Sequence, residues 1–250
     1  MSVFRHLKAA SRAALHGMIV IGLLGLAGGR ALAEIHVKDD FNGPAGTITS
    51  RAPVVDLKRG AWVTTSPATA LALPGNGQLI SPDQTAANLA AVALLPSSPF
   101  AVIEMRAIVT LPAGDANWIG FGLADGVHSL TTAKSGPWAE LHGSGLVNLY
   151  SGSGTNGVNT QTVTNNGGPV EVVLTYDACN ARMSLTFGGA PVFSDVAVVH
   201  SPGSVPRGYA VIEFSQNAGE PAACSVADLS DDKIPRQWPV LSLTHTVAPF

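Results

Sequence analysis

The stretch Ala101-Val-Ile-Glu-Met-Arg-Ala-Ile-Val-Thr-Leu111 decides the fold. Its odd positions, Ala101, Ile103, Met105, Ala107, Val109 and Leu111, are apolar, while Glu104, Arg106 and Thr110 fall between them. Side chains alternate faces along a strand, so this pattern predicts a strand with one buried and one wet face. The same alternation places Val170, Val172, Leu174 and Tyr176 inward in one segment and Ala181, Met183, Leu185 and Phe187 inward in the next. Asp177-Ala-Cys-Asn180 between them is compatible with a turn, which predicts an antiparallel hairpin.

Further strands are predicted at 35–41, 61–65, 77–81, 89–95, 118–123, 138–142, 146–150, 209–215 and 224–229. Nearly every gap between them holds Gly, Pro, Asn or Asp. Residues 85–95 are the one ambiguous stretch, because their alanines favour helix. Many short strands without helical crossovers predict an all-β fold of antiparallel sheets packed as a sandwich. The composition agrees. Charged residues make up 12% of the 250, well below the globular norm of about 25%, and 27 Gly and 17 Pro punctuate a chain that is 46% apolar. An all-β domain of this length folds without splitting.

Residues 1–33 carry Arg5, Lys8, Arg12 and Arg30 and no acidic side chain. An apolar run at 17–27 and Ala31-Leu-Ala33 follow, the pattern of a secretory signal peptide cleaved before Glu34. The run is too short to span a bilayer. The expected mature chain is therefore secreted or periplasmic, without a membrane span. It has 10 basic and 17 acidic side chains, a net charge of −7, which repels phosphate backbones and argues against nucleic acid as a partner. Its two cysteines, Cys179 and Cys224, are expected to form a disulfide in an oxidising compartment.

Two segments have biased composition. Residues 151–168 contain no apolar side chain but Val, so they are expected as an exposed loop or a ragged edge hairpin. Residues 231–250 follow the last predicted strand and read as a C-terminal tail with Pro235, Pro239 and Pro249. In it Trp238, Val240, Leu241 and Leu243 offer apolar anchors for docking.

The order of Asp39-Asp-Phe-Asn-Gly43, Gly60-Ala-Trp62, residues 100–111 leading into Trp118-Ile-Gly-Phe-Gly-Leu123, Gly136-Pro-Trp138, the hairpin, and 209–229 resembles bacterial laminin-G-like, concanavalin A-like jelly-roll domains. The resemblance covers residues 35–230 and is one of layout. It implies a two-sheet jelly roll over 34–230 in which the first and last strands pair, with sugars bound on one concave sheet or its rim. The family holds lectins, adhesion modules, hydrolases and lyases, so it selects no single function.

Trp138, Glu140 and His142 share one strand face by period two, and Asn148 and Tyr150 on the next strand extend it. An aromatic platform beside hydrogen-bonding groups is how a sugar is held, so these five form the candidate ligand site, with Trp138 as the platform. Trp62 and Trp118 are assigned to core or sheet packing. The Glu-x-Asp-x-x-Glu pattern of retaining glucanases is absent, and Glu104, Glu140, Glu171 and Glu213 are each solitary on their strands. Glu104 with Glu140 is the cross-strand carboxylate pair a hydrolase would need. Scattered histidines exclude transition-metal ligand spacing. Asp39, Asp40 and Asp228 are a candidate structural calcium site if the terminal strands pair. These readings converge on a carbohydrate-binding or adhesion-type module without catalysis, taking an oligo- or polysaccharide. A jelly-roll polysaccharide hydrolase or lyase and a structural protein of the envelope are the alternatives.

Overall fold

Alternating segments of this chain pair into two antiparallel sheets stacked face to face, a jelly-roll sandwich. The computed structural model describes residues 34–56, 60–65, 70–82, 88–94, 101–114, 117–178, 180–199, 208–215, 225–227 and 241–247. No helix occurs among them. The expected signal peptide and disulfide, and Asp228 and Trp238, lie outside the described residues.

The first sheet is built on β7 (Ala101–Thr110), which pairs along its length with β12 (Val170–Asp177). β12 continues into β13 (Arg182–Phe187), the predicted hairpin, and β13 into β14 (Ala190–Ala197). On its other side β7 is met by two strands in succession. Residues 108–110 pair with β16 (Ser225–Ala227), and residues 101–106 pair with β17 (Leu241–Val247). β17 then pairs with β1 (Glu34–Asp39), which also pairs with β3 (Val55–Asp56), while β16 continues into the short strands β5 (Leu79–Ile80), β4 (Ala72–Leu73) and β2 (Gly46–Thr47), so the first described strand and a C-terminal strand are neighbours. Residues 241–247 thus occupy an interior place in the sheet, where the sequence pointed to a docking tail. Their alternation was masked by the three prolines that surround it.

The second sheet has the order β11 (Val158–Thr162), β10 (Leu146–Tyr150), β9 (Ser135–His142), β8 (Trp118–Ala124), β15 (Tyr209–Ser215), β6 (Asn88–Ala93). The alanine-rich ambiguity resolves as β6, whose neighbours β15 and Val63 supply sheet partners for its backbone. The polar segment 151–168 contributes β11, the edge strand, with only Asn159 partly buried within it.

The inner faces meet in one core. Ile103, Met105, Val109, Val172, Leu174 and Leu185 come from the first sheet, and Ile119, Phe121, Leu141, Leu149, Ile212 and Phe214 from the second. Each such side chain contributes roughly 1.5–3 kcal/mol relative to exposure. The second sheet also buries part of its outer face, where Leu89, Ala91, Ala124, Leu130, Trp138, Tyr150 and Val211 form a smaller apolar layer. That double burial explains why β8 reads as a nearly continuous apolar run and β9 is buried along almost its whole length, while β7 alternates.

Candidate binding site

The outer face of the second sheet carries the site, and strand register sets its rows. One row runs Thr160, Asn148, Glu140, Gly120, Glu213, Leu89 across the six strands. The adjacent row runs Val158, Tyr150, Trp138, Gly122, Val211, Ala91. Trp118 lies opposite His142.

Glu140 is the centre of the polar row. Its Oε2 accepts hydrogen bonds from Asn148 Nδ2 at 2.8 Å and from the Tyr150 hydroxyl at 2.7 Å. His142 Nε2 stands 3.4 Å from Oε1. The Thr160 hydroxyl donates to Asn148 Oδ1 at 2.9 Å, so a relay of hydrogen bonds runs from the exposed edge strand inward to the carboxylate. Burial works against the charge on Glu140, but the bonds from His142, Asn148 and Tyr150 outweigh it and hold its carboxyl below the usual range. The same burial and the bond to Glu140 push the Tyr150 phenol well above its ordinary value, keeping it a donor.

Trp138 does not have the exposed ring of a sugar platform. It is 0% exposed, stacks on Tyr150 with ring centroids 4.1 Å apart, and donates its indole N–H to the Gly154 carbonyl at 2.7 Å. The loop between β10 and β11 covers it. Gly122 is its cross-strand partner because no other residue fits there: a Cβ would sit 2.2 Å from Trp138 Cβ. Trp118 packs against the apolar layer of the outer face, as expected, and is half-buried there beside His142, its ring tilted 46° to that of Trp138 at 6.2 Å. Period two places Trp138 on the face of Glu140 and His142 and leaves Trp118 without an assigned face. It carries no signal for which of them a loop will cover.

Glu104 is not a partner for Glu140. It lies on β7 in the other sheet and accepts from Arg106 Nη2 at 2.9 Å, with Arg106 also bound to Glu171, so the whole apolar core separates the two glutamates. The carboxylate that shares the outer face with Glu140 is Glu213, two strands away across Gly120. Only strand order brings them together, and strand order is not written in a single strand's pattern. Glu213 is 1% exposed. It accepts from the Ser129 hydroxyl at 2.8 Å and from the Leu130 N–H at 2.6 Å, both in the loop between β8 and β9. Burial pushes its carboxyl up, the two donors resist, and the nearby charge of Glu140 adds to the rise.

Asp39 and Asp40, the two candidate calcium ligands within the described residues, are engaged by hydrogen-bond donors. Asp39 is 0% exposed, and its oxygens accept from Phe41 N–H at 2.9 Å, Arg51 Nη2 at 2.8 Å and the Trp62 indole at 2.7 Å. Asp40 takes Asn42 N–H at 2.9 Å and lies 3.4 Å from Arg51 Nη2. At Asp39 donor hydrogens and a guanidinium occupy both carboxylate oxygens, where a hard cation would need them free. Among the described residues no group of three or more His, Cys, Asp or Glu could hold a metal ion.

No family model matches the chain, and no curated protein sequence matches it. Solved structures do. An endo-beta-1,3-glucanase from Pyrococcus furiosus superposes with a TM-score of 0.51 at 10% identity, covering 87% of this chain and 96% of that one. Lectin II from Ulex europaeus gives 0.47 at 12% identity, covering 87% and 99%. A sialidase gives 0.44 at 14% identity over 74% of this chain, which spans only 16% of the sialidase's length. The likeness is one of fold. Among the described residues, no helix is long and apolar enough to cross a membrane.

Proposed function

We propose that this chain is an exported, laminin-G-like module that binds neutral saccharides on the outer face of its six-stranded sheet, over Trp118, Glu140, His142 and Asn148. One observation carries the reading: a carboxylate kept ionised by three side-chain partners stands at the floor of a row that opens to solvent through Asn148 and Thr160, beside a half-buried tryptophan. A sugar presents hydroxyl donors for the carboxylate and an apolar ring face for the indole. The mature chain's expected negative charge and the two glutamates disfavour acidic polysaccharides. A glycan array with the mature chain tests the reading. Trp118→Ala and Glu140→Gln should each weaken binding of the sugars retained by wild type, and unchanged affinity in both would sink the site.

A second reading is favoured by one observation, the opposite shifts of Glu140 and Glu213 on one face. Two titratable groups driven apart by their surroundings are the arrangement of an acid and a base. Two interstrand spacings put their backbones about 10 Å apart, near the upper end of the roughly 6.5–9.5 Å between carboxyl groups in inverting hydrolysis, in which a water fits between them. Glu213 would give its proton to the glycosidic oxygen as that C–O bond breaks. Glu140 would take a proton from the water whose oxygen bonds the anomeric carbon. Reducing-end release from neutral polysaccharides, lost in Glu213→Gln with binding retained, distinguishes this reading from binding alone.

A further inference from the structure

Gly120 leaves a gap at the centre of the site row, between Glu140 and Glu213, and the chain fills that gap with its own side chain. A Cβ at Gly120 would meet Leu130 Cδ1 at 3.2 Å, Trp118 at 3.1 Å and Trp138 at 3.2 Å. Leu130 is 0% exposed although it lies in a surface loop whose residues 131–134 are all exposed. It therefore occupies, against two indoles, the kind of apolar space that the ring face of a sugar would take.

We propose that residues 125–134 are a lid over the site, seated by Leu130 and latched by Glu213, and that a saccharide long enough to reach from Glu140 to Glu213 binds by displacing it. The proposal rests on the saccharide reading of this face and adds its regulation. Two features make the loop able to move as a unit. Part of its backbone is satisfied from within, where Asp125 N–H bonds Lys134 O at 3.0 Å and Thr132 N–H bonds Ser129 O at 3.1 Å, and its C-terminal end is tied to the first residue of β9 through Ser135 N–H to Thr132 O at 3.2 Å. Lifting it thus leaves few orphaned groups on the loop itself. Apart from the Ser135 bonds to the Thr132 carbonyl at its C-terminal end, the hydrogen bonds it makes to the sheet beneath converge on one carboxylate, through the Ser129 hydroxyl and the Leu130 N–H. In the closed loop that carboxylate has its charge penalised by burial and by Glu140, a penalty that lifting the loop into water relieves. A closed lid lowers apparent affinity by the fraction of molecules that are open.

Hydrogen exchange at the Leu130 amide, acrylamide quenching of tryptophan, and binding of a β-1,3-linked glucose hexamer are measured on the mature chain and on Ser129→Ala and Leu130→Ala. Ser129→Ala removes one donor to a charged acceptor, so exchange at Leu130 should rise roughly tenfold with β9 and β10 amides unchanged. Leu130→Ala should increase quenching as the indoles are uncovered. If it lowers overall stability instead, Ser129→Ala, which leaves the apolar layer intact, still decides. Loop and strand amides exchanging together in Ser129→Ala would show that the loop opens only with the sheet, and would overturn the lid. With the exchange result in place, tighter hexamer binding in Ser129→Ala supports the lid as a regulator of the site. Hexamer binding unaltered in that variant, but lost in Glu140→Gln, would place the lid elsewhere than over the site. A chain that binds no sugar in any variant, yet shows the loop-only exchange, would sink the saccharide reading and not the lid.

Discussion

Glu140 and Glu213 stand on one face of the six-stranded sheet with Gly120 between them, and their surroundings drive their protons in opposite directions. For Glu213 the folded state holds its proton more tightly than the unfolded chain, in which glutamates titrate near about 4.3. Below that pH both states are protonated and the group makes no difference. As pH rises through the raised folded value, the folded state loses stability relative to the unfolded one. Glu213→Gln removes this titration. Its stability relative to wild type should therefore climb between acid and neutral pH, by about 1.4 kcal/mol for each pH unit of the window. Urea unfolding of both proteins across that range gives the difference directly, and a flat difference would contradict the raised value.

Glu140 has the opposite sign. Its folded value is depressed, so its contribution is present above the unfolded value and fades as pH falls through the folded one. Glu140→Gln should cost stability at neutral pH and cost little at strongly acid pH. Equal cost at both would mean that the bonds from Asn148 and Tyr150 serve the neutral carboxyl as well as the charged one.

Trp138 is fully buried and Trp118 only partly so, and substitution separates their contributions. Trp138→Ala removes a fully buried ring, its stack on Tyr150 and its bond to Gly154, and should cost about 3–5 kcal/mol. Trp118→Ala, on the half-exposed neighbour, should cost much less stability and more affinity. Gly122→Ala tests the same packing from beneath, because its Cβ would also lie 2.6 Å from Trp138 Cα, a backbone atom that cannot swing away. Overpacking of that kind costs at least about 1–3 kcal/mol, read as a lowered urea midpoint.

What was legible in the sequence was whatever a single strand encodes. The alternation of Ile103, Met105 and Val109 against Glu104 and Arg106 gave β7, and the turn after Tyr176 gave the β12–β13 hairpin. Period two also put Glu140, His142, Asn148 and Tyr150 on one face, where hydrogen bonds now join them. Relations between distant strands were not legible. Nothing local places β15 two strands from β9, so Glu213 went unpaired in the reading and Glu104 was chosen in its place. Coverage by loops was equally hidden, because Gly154 reaches Trp138 across 16 positions and Leu130 reaches the gap above Gly120 from a segment rich in polar residues.

Asp39 is buried with Arg51 as its counter-charge, so the ion pair and not a metal should hold this corner. Arg51→Ala leaves a buried carboxylate bound only by neutral donors and should cost about 3–5 kcal/mol. A chelator should leave the thermal midpoint of the mature chain unchanged. A midpoint that falls on chelation and recovers with calcium would return Asp39 and Asp40 to the role of ligands.

The segment 241–250 gives the sharpest test of the topology. Residues 241–247 lie between β1 and β7, pairing with Glu34–Asp39 on one side and with positions 101–106 on the other. A tail docked on the surface could be removed at small cost. An interior strand cannot, because its loss exposes two unpaired strand edges and separates β1 from the rest of its sheet. Truncation after Val240 should therefore yield an aggregating or unfolded product, and adding the missing peptide in trans should restore native circular dichroism in part. A truncated chain that keeps the wild-type urea midpoint would remove β17 from the sheet and return the closing position beside β7 to β1 or to solvent.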